Sequence, residues 1–80
     1  MFKRYYAIYD KIAKTYSGLF EQQNDAVASR LFEGQQKNKE SYISVKPEDF
    51  SLHYICTMED ETGEIRDNTN TTVCEGKPNE

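Results

Sequence analysis

Tyrosines and basic residues alternate near the start of this chain, a combination that suits contact with a single-stranded nucleic acid. Residues 1–14 carry four basic side chains and one acidic side chain, Asp10. Aromatic rings stack on bases of any sequence, and lysine and arginine side chains neutralise phosphates. The residues predicted to bind nucleic acid are Lys3, Arg4, Tyr5, Tyr9, Lys11, Lys14 and Tyr16, followed by Arg30, Lys37 and Lys39. The same spacing also fits a strand whose tyrosine rings pack within the protein.

The formal charge is divided unevenly between the two halves of the chain. Residues 1–46 carry eight Lys and Arg against five Asp and Glu, a balance of +3, whereas residues 47–80 carry two against nine, a balance of −7. The first half can therefore meet phosphate, and the second half repels it. The asymmetry also supports a rival hypothesis, in which the acidic half binds a protein partner.

Catalytic and metal-binding patterns are close to absent from the sequence. His53 is the only histidine, and on a strand Cys56 would point to the opposite face, so the two cannot share a metal without distortion. The acidic residues between Glu59 and Asp67 lack the ligand spacing of an EF-hand loop, which favours a solvated turn. No Walker loop, dinucleotide fingerprint or nucleophile elbow occurs. We therefore expect a protein that is not an enzyme and needs no cofactor or metal.

The cysteines and the hydropathy pattern bear on the cellular compartment. Cys56 and Cys74 are too few for a disulfide framework, and reducing cytosol keeps thiols free. The alternative is a bridge between them that ties the C-terminal residues to the last hairpin. No apolar run approaches the ~18 residues of a membrane-spanning helix, and the first residues lack the apolar segment of a signal peptide. We expect the protein to stay in the compartment where it is made and to bind no membrane.

The first candidate binding residues fall on a predicted strand. Between Arg4 and Asp10, odd-numbered residues share one face and even-numbered residues share the other, and both sets are rich in β-formers. The pattern predicts a two-sided strand, either central in a sheet or at an oligomer contact. Gly18 then leads to a short segment, Leu19 to Gln22, which can return as a second strand.

Asn24 marks the predicted start of an amphipathic helix. Its side chain can accept a backbone hydrogen bond as an N-cap, and Asp25 places negative charge at the positive end of the helix dipole. An apolar stripe at helical spacing follows, formed by Val27, Ala28, Leu31 and Phe32. The helix is predicted from Asp25 to about Gln36.

The second half of the chain predicts a hairpin and a tail. Pro47 suits the first turn of a short helical piece, and a strand follows whose better core face is formed by Leu52, Tyr54, Cys56 and Met58. Acidic residues and then Gly63 predict a turn, and residues 64–67 form a short return strand. Residues 68–80 are polar and are predicted to form a flexible tail.

Together these elements predict a small α+β domain over residues 1–67, followed by the tail. The order is β-β-α-β-β, with the helix packed on one face of an antiparallel sheet. A domain of this size buries only ~60% of the surface that its unfolded chain exposes. The resulting marginal stability favours a homo-oligomer.

Two blocks of residues, with characteristic order and spacing, span most of the chain. The first comprises Ile8–Lys11, Ala13, Tyr16, Phe20, Asn24–Ala28, Arg30 and Phe32, and the second comprises Pro47–Phe50, Leu52 and Asp60–Gly63. In these residues the chain resembles the small nonstructural protein of gokushovirus-type microviruses, which are phages with single-stranded DNA genomes. It departs from that family at Cys56 and Thr57, where a Leu-Gly pair is frequent, in its Lys-Arg start and in its long polar connection after the helix.

The resemblance implies a non-enzymatic early protein of the host cytoplasm, absent from the mature capsid and associated with viral DNA replication and its switch to packaging. Direct DNA binding is part of that expectation. Together with the charge pattern, it leads to the hypothesis of a single-stranded DNA binding accessory of phage replication. Two alternatives stay open. One is an acidic module that recruits a host replication factor or a capsid precursor, and the other is a structural homo-oligomer whose strand edges pair and bury Tyr5 or Tyr6.

Overall fold

The computed structural model describes residues 1–78, which form an antiparallel sheet with a helix on one face. β1 lies between β2 and β3, and the other edge of β3 pairs first with β4 and then with β5. The α+β class and the predicted order of the first four strands are confirmed, and a fifth strand follows them. The elements are β1 (Phe2–Asp10), β2 (Thr15–Gln22), α1 (Asp25–Lys37), 3-10 turns at Tyr42–Ser44 and Pro47–Asp49, β3 (Phe50–Glu59), β4 (Ile65–Arg66) and β5 (Thr71–Glu75).

The alternation predicted for β1 is present, and it divides the strand between two environments. Tyr6 is fully buried on the side of α1, where its ring contacts Phe20 of β2 and Tyr54 of β3 at centroid distances of 6.2 and 5.7 Å. Cross-strand pairs share a face of the sheet, and the register pairs Tyr6 with both of these residues. The odd-numbered residues of β1 therefore lie on the opposite face.

Helix α1 begins as the sequence predicts, and only part of its predicted apolar stripe is buried. The Asn24 side chain accepts a hydrogen bond of 2.9 Å from the Val27 amide, which caps the first turn. Ala28 and Phe32 are buried against the sheet, whereas Leu31 remains 43% exposed. The helix ends one residue beyond the predicted position. No helix among residues 1–78 is long and apolar enough to cross a membrane.

Two bulges change which side chains share a face. In β2 one extra residue lies between the partners of Tyr6 and Ile8, and Gly18 adopts φ +77° there. The strand begins at Thr15, on the far side of this bulge, and not at the predicted Leu19. In β3 the register shifts by one residue at Ile55. Because an extra residue reverses the alternation beyond it, the predicted core face is wrong in its second half. Cys56 and Met58 pair with Tyr5 and Lys3 on the face away from α1.

The prediction of a tail from residue 68 is also wrong for most of the described part. Thr71–Glu75 pairs with β3 as β5, and the Gly76 amide donates a hydrogen bond of 2.8 Å to the Phe50 carbonyl. A Cβ atom at Gly76 would lie 1.9 Å from the Pro47 carbonyl oxygen, so only glycine fits this close approach. The polar composition of this segment gives no sign of a strand. It forms one because the edge of β3 that β1 does not occupy supplies backbone hydrogen-bond partners. Residues 79 and 80 of the predicted tail lie outside the described residues.

Both cysteines are free thiols. Cys56 pairs with Tyr5 on one face of the sheet, and Cys74 pairs with Leu52 on the other. Because the two thiols lie on opposite faces, a bridge between them would require the sheet to rearrange. Burial raises the pKa of the Cys74 thiol, which keeps it protonated at neutral pH.

Candidate nucleic-acid interface

The face of the sheet opposite α1 carries all three predicted tyrosines, and we call it the open face. On β1 it presents Lys3, Tyr5, Ala7 and Tyr9 at every second position. Tyr5 and Tyr9 are half-buried, and Tyr16, which pairs with Tyr9 from β2, is 47% exposed. Three rings predicted to stack on bases are thus brought to one surface.

Tyr9 and Tyr16 form a ring pair at the end of this surface next to the turn between β1 and β2. Their centroids are 4.6 Å apart with planes inclined by 39°, and both rings meet His53 edge-on, at 5.8 and 5.3 Å respectively. A chain of hydrogen bonds holds the group in place. Asn70 donates to the Tyr16 hydroxyl oxygen at 2.8 Å, and the Asn70 carbonyl oxygen lies 2.9 Å from Nδ1 of His53.

This hydrogen-bond chain assigns the proton of His53. An amide oxygen can only accept, so Nδ1 donates to Asn70, and in the neutral imidazole Nε2 is then the acceptor for the Ser51 hydroxyl, which lies 2.8 Å away. The order Ser51, His53, Asn70 resembles that of a catalytic triad, but Ser51 is only 2% exposed and cannot reach a substrate without movement of its surroundings. The chain therefore serves to position Tyr16. Sequence reasoning missed Asn70, because β5 was not predicted to join the sheet.

The lysines at the two ends of the open face form loose ion pairs. Lys3 lies 3.7 Å from carboxylate oxygens of both Glu21 and Asp60, and Lys11 lies 3.3 Å from Glu75. Lys14, in the turn between β1 and β2, makes no ion pair within residues 1–78. The positive charge of this face is consequently partly balanced at Lys3 and Lys11 and unbalanced at Lys14.

Arg4 lies on the other face and contributes to the fold. Its guanidinium donates hydrogen bonds of 2.9 Å to the Tyr6 hydroxyl and to the Asp25 carboxylate, and it lies 4.2 Å from the centre of the Tyr54 ring. The hydrogen bond to Tyr6, more than the one to Asp25, raises the pKa of Arg4 above its ordinary value. These contacts place Arg4 away from the open face.

The predicted set is therefore divided by the sheet. Arg30 and Lys37 are exposed on α1, and Lys39 follows the helix, so these three lie with Arg4 on the helix side. None of the three forms an ion pair with a described residue. The residues gathered at the open face and its basic turn are Lys3, Tyr5, Tyr9, Lys11, Lys14 and Tyr16.

A cleft of about 380 Å³ opens on the same face, beside Tyr16. Its lining is mainly apolar, with two amide side chains contributed by the segment between β4 and β5. The lining residues are Ala7, Tyr16, Leu19, Ile55, Asn68 and Asn70. The only sequence signal for this cleft is the small residue Ala7 between two tyrosines of the same strand face, since the bulge that brings Ile55 here leaves no mark in the sequence.

Acidic residues gather at the end of the sheet away from Lys14. β1 and β3 are antiparallel, with Asp10 opposite Phe50 and Phe2 opposite Glu59, so the turn after β3 and the turn after β1 lie at opposite ends. The Met1 amine donates hydrogen bonds of 2.5 and 3.0 Å to Glu59 and Asp60, which raise its pKa. The exposed carboxylates of the turn between β3 and β4 thus lie at the end of the sheet opposite Lys14.

Comparison with known proteins identifies a family. The family model described as Phage ORF5 protein matches residues 3–78, nearly the whole chain. The comparison with curated proteins finds no match, and neither does the comparison with solved structures. The match over almost the full length establishes that this is a phage protein, and the chain belongs to the Phage ORF5 protein family.

Proposed function

We propose that this phage protein binds single-stranded DNA on the open face of its sheet and assists viral DNA replication or its switch to packaging. The observation that carries the proposal is the arrangement of Tyr5, Tyr9 and Tyr16 on one surface, with lysines at both ends of β1. A helix covers the other face, so the tyrosines are not required for the main hydrophobic core.

A DNA strand lying along β1 would meet rings and charges in turn. From Lys3 to Lys11 the strand extends ~27 Å, at ~3.4 Å per residue. Bases can stack on exposed rings such as Tyr16 with a contribution of ~1–3 kcal/mol each, whatever their identity. Lysines at the two ends and Lys14 in the turn can neutralise phosphates. This arrangement suits binding without strong sequence preference.

The carboxylates beside the lysines do not prevent this role. Ion pairs between exposed side chains contribute only ~0–1 kcal/mol, and the pairs of Lys3 and Lys11 are both partly exposed. A phosphate can therefore replace Glu21 or Glu75 at small cost. Because phosphate contacts release counterions, affinity must fall as the salt concentration rises.

Binding to a fluorescent oligonucleotide, followed by anisotropy, tests the proposal. The triple variant Lys3→Glu, Lys11→Glu, Lys14→Glu removes the basic residues of the open face and its turn. The matched control, Arg30→Glu, Lys37→Glu, Lys39→Glu, changes the net charge equally on the helix side. We expect the first triple variant to lose binding and the second to retain most of it. Equal effects of the two variants, or an affinity that does not change with salt, would contradict binding on the open face.

The role in replication is supported by the membership of a phage family and by the resemblance to proteins of single-stranded DNA phages. A phage carrying the open-face triple variant provides its test. We expect the ratio of single-stranded to double-stranded viral DNA in infected cells to change, with no such change for the control triple variant. If the variant loses DNA binding in vitro and the ratio does not change, the DNA binding of this protein is not needed for replication.

The acidic end of the sheet favours a second candidate function, recruitment of a host or phage protein. Its carboxylates are exposed at the turn between β3 and β4 and lie far from Lys14 along the sheet. They could engage a basic partner while the open face holds DNA. If substitution of Glu61 and Glu64 by Gln stops replication without weakening DNA binding, this result supports a protein partner at the acidic end.

A further inference from the structure

We propose that the cleft beside Tyr16 holds one unstacked nucleobase of the bound strand. This inference rests on the proposed function and deepens it, because it assigns a position where a base is received as well as a surface where bases stack. Pockets that enclose small ligands usually have volumes of ~300–1,000 Å³, and the cleft, at about 380 Å³, lies near the lower limit of that range.

The floor of the cleft is formed by small or aliphatic side chains. Ala7 is the small residue between Tyr5 and Tyr9 on the open side of β1, and it lines the cleft. The bulge in β3 adds Ile55 beside it. Such a floor is apolar, which suits the face of a heterocycle better than it suits a sugar or a phosphate.

The wall of the cleft is an aromatic ring that is already held in place. Tyr16 packs on Tyr9, meets His53 edge-on and accepts the hydrogen bond from Asn70. Its ring therefore loses little conformational freedom when a base stacks on it. Leu19, on the same side of β2, is 63% exposed and offers further apolar surface that the fold does not bury.

The rim of the cleft carries an amide with unused hydrogen-bonding capacity. Asn70 already uses its carbonyl oxygen and one N–H group in the network with His53 and Tyr16. The side chain of Asn68 makes no hydrogen bond to a described residue. It presents a donor and an acceptor together, the pattern that matches the edge of a base. A single base can therefore stack on Tyr16 and pair with Asn68.

Two oligonucleotides of equal length test the cleft directly. One is oligothymidylate, and the other has the same sugar-phosphate backbone with abasic sites, so phosphate contacts are common to both. Wild-type protein should bind the intact strand at least about 5-fold more tightly, the lower limit expected for one stacked base. Ala7→Leu fills the cleft and Asn68→Ala removes its rim amide. Both variants should lower affinity for the intact strand and leave affinity for the abasic strand unchanged.

A control variant and the possible outcomes distinguish binding in the cleft from DNA binding in general. Gln23→Ala removes an exposed amide outside the cleft and should change neither affinity. If Ala7→Leu does not fold, as judged by circular dichroism, the exposed substitution Asn68→Ala decides the question. Equal wild-type binding of both strands, or a preference for the intact strand that survives both variants, overturns the cleft but leaves DNA binding standing. Binding of neither strand overturns the proposed function and the cleft with it.

Discussion

The hydroxyl group of Tyr6 donates a hydrogen bond of 2.6 Å to the carboxylate of Asp25, the first residue of α1. Arg4 donates to the same carboxylate oxygen at 2.9 Å. The contact joins the central strand of the sheet to the first turn of the helix. It therefore helps to determine which face of β1 the helix covers and, by exclusion, which face is left for a ligand.

The Asp25 carboxylate should make stability depend on pH in the acid range. The hydrogen bond from Tyr6, and then the one from Arg4, lower its pKa below the ordinary value of 3.8. A lowered pKa stabilises the folded protein above pH 3.8, and this contribution is lost as the pH falls through the lower folded-state value. Because the side chain is 55% exposed, the contribution should not exceed ~1 kcal/mol. Urea unfolding of wild type and Asp25→Asn should give different midpoints at pH 7 and converging midpoints below pH 3.8. A difference between the two midpoints that does not change with pH would show that the carboxylate charge does not contribute to stability.

Removing the Tyr6 hydroxyl should destabilise the fold while leaving the ring in place. Tyr6→Phe loses the hydrogen bond to Asp25 and the one received from Arg4, and we expect a loss of ~1–3 kcal/mol in the free energy of unfolding. Tyr5→Phe is the matched control, since the Tyr5 hydroxyl makes no hydrogen bond to a described residue. Chemical denaturation of both variants measures the difference. Equal stabilities would show that the Tyr6 hydroxyl does not stabilise the contact between strand and helix.

Two glycine substitutions should have opposite effects on stability. A methyl group at Gly76 meets the Pro47 carbonyl oxygen at 1.9 Å, so Gly76→Ala should destabilise by ~1–3 kcal/mol. Gly34 lies within α1 with nothing within 4 Å of an added Cβ atom, so Gly34→Ala should stabilise by ~0.5–1 kcal/mol. Thermal unfolding of both variants also tests β5, because a harmless Gly76→Ala would mean that the C-terminal residues do not pack against the domain.

Removing one of the two carboxylate partners of Lys3 should strengthen DNA binding. Glu21 faces Lys3 at 3.7 Å on the open face, and it must give way to a phosphate. Glu21→Gln should therefore raise affinity for single-stranded DNA by up to about 5-fold at low salt. Glu33→Gln, an exposed change on α1, provides the same change in net charge at a distance from the open face. An equal gain in both variants would indicate a general effect of net charge only.

Several elements could be predicted from the sequence because they depend on residues that are close together in the chain. The alternation of β1 and the Asn24 cap depend on neighbouring residues, and both were predicted correctly. The short helical piece at Pro47 and the brief return strand at residues 65–66 were predicted for the same reason. The candidate tyrosines also followed from composition and spacing alone.

The pairing of β5 and the bulge at Ile55 depend on contacts between residues far apart in the sequence. Thr71–Glu75 contains little apolar surface, and the free edge of β3 is what makes it a strand. The bulge exchanges the faces of Cys56 and Met58, which periodicity assigned to the core. Neither event has a local signal, so the cleft and the Asn70 network that depend on them could not be predicted.

The sequence by itself determined that β1 has two usable faces, one of them lined by Tyr5 and Tyr9, because side chains alternate along any strand. Only the tertiary structure decided which face the helix covers and which basic residues remain beside the tyrosines. The physical reason is that Tyr6 packs in the core with Ala28 and Phe32 of the helix, and that Asp25 accepts hydrogen bonds from Tyr6 and Arg4 on the same side. Arg4 thereby becomes part of the fold, while Lys3, Tyr5 and Tyr9 remain together on the open face.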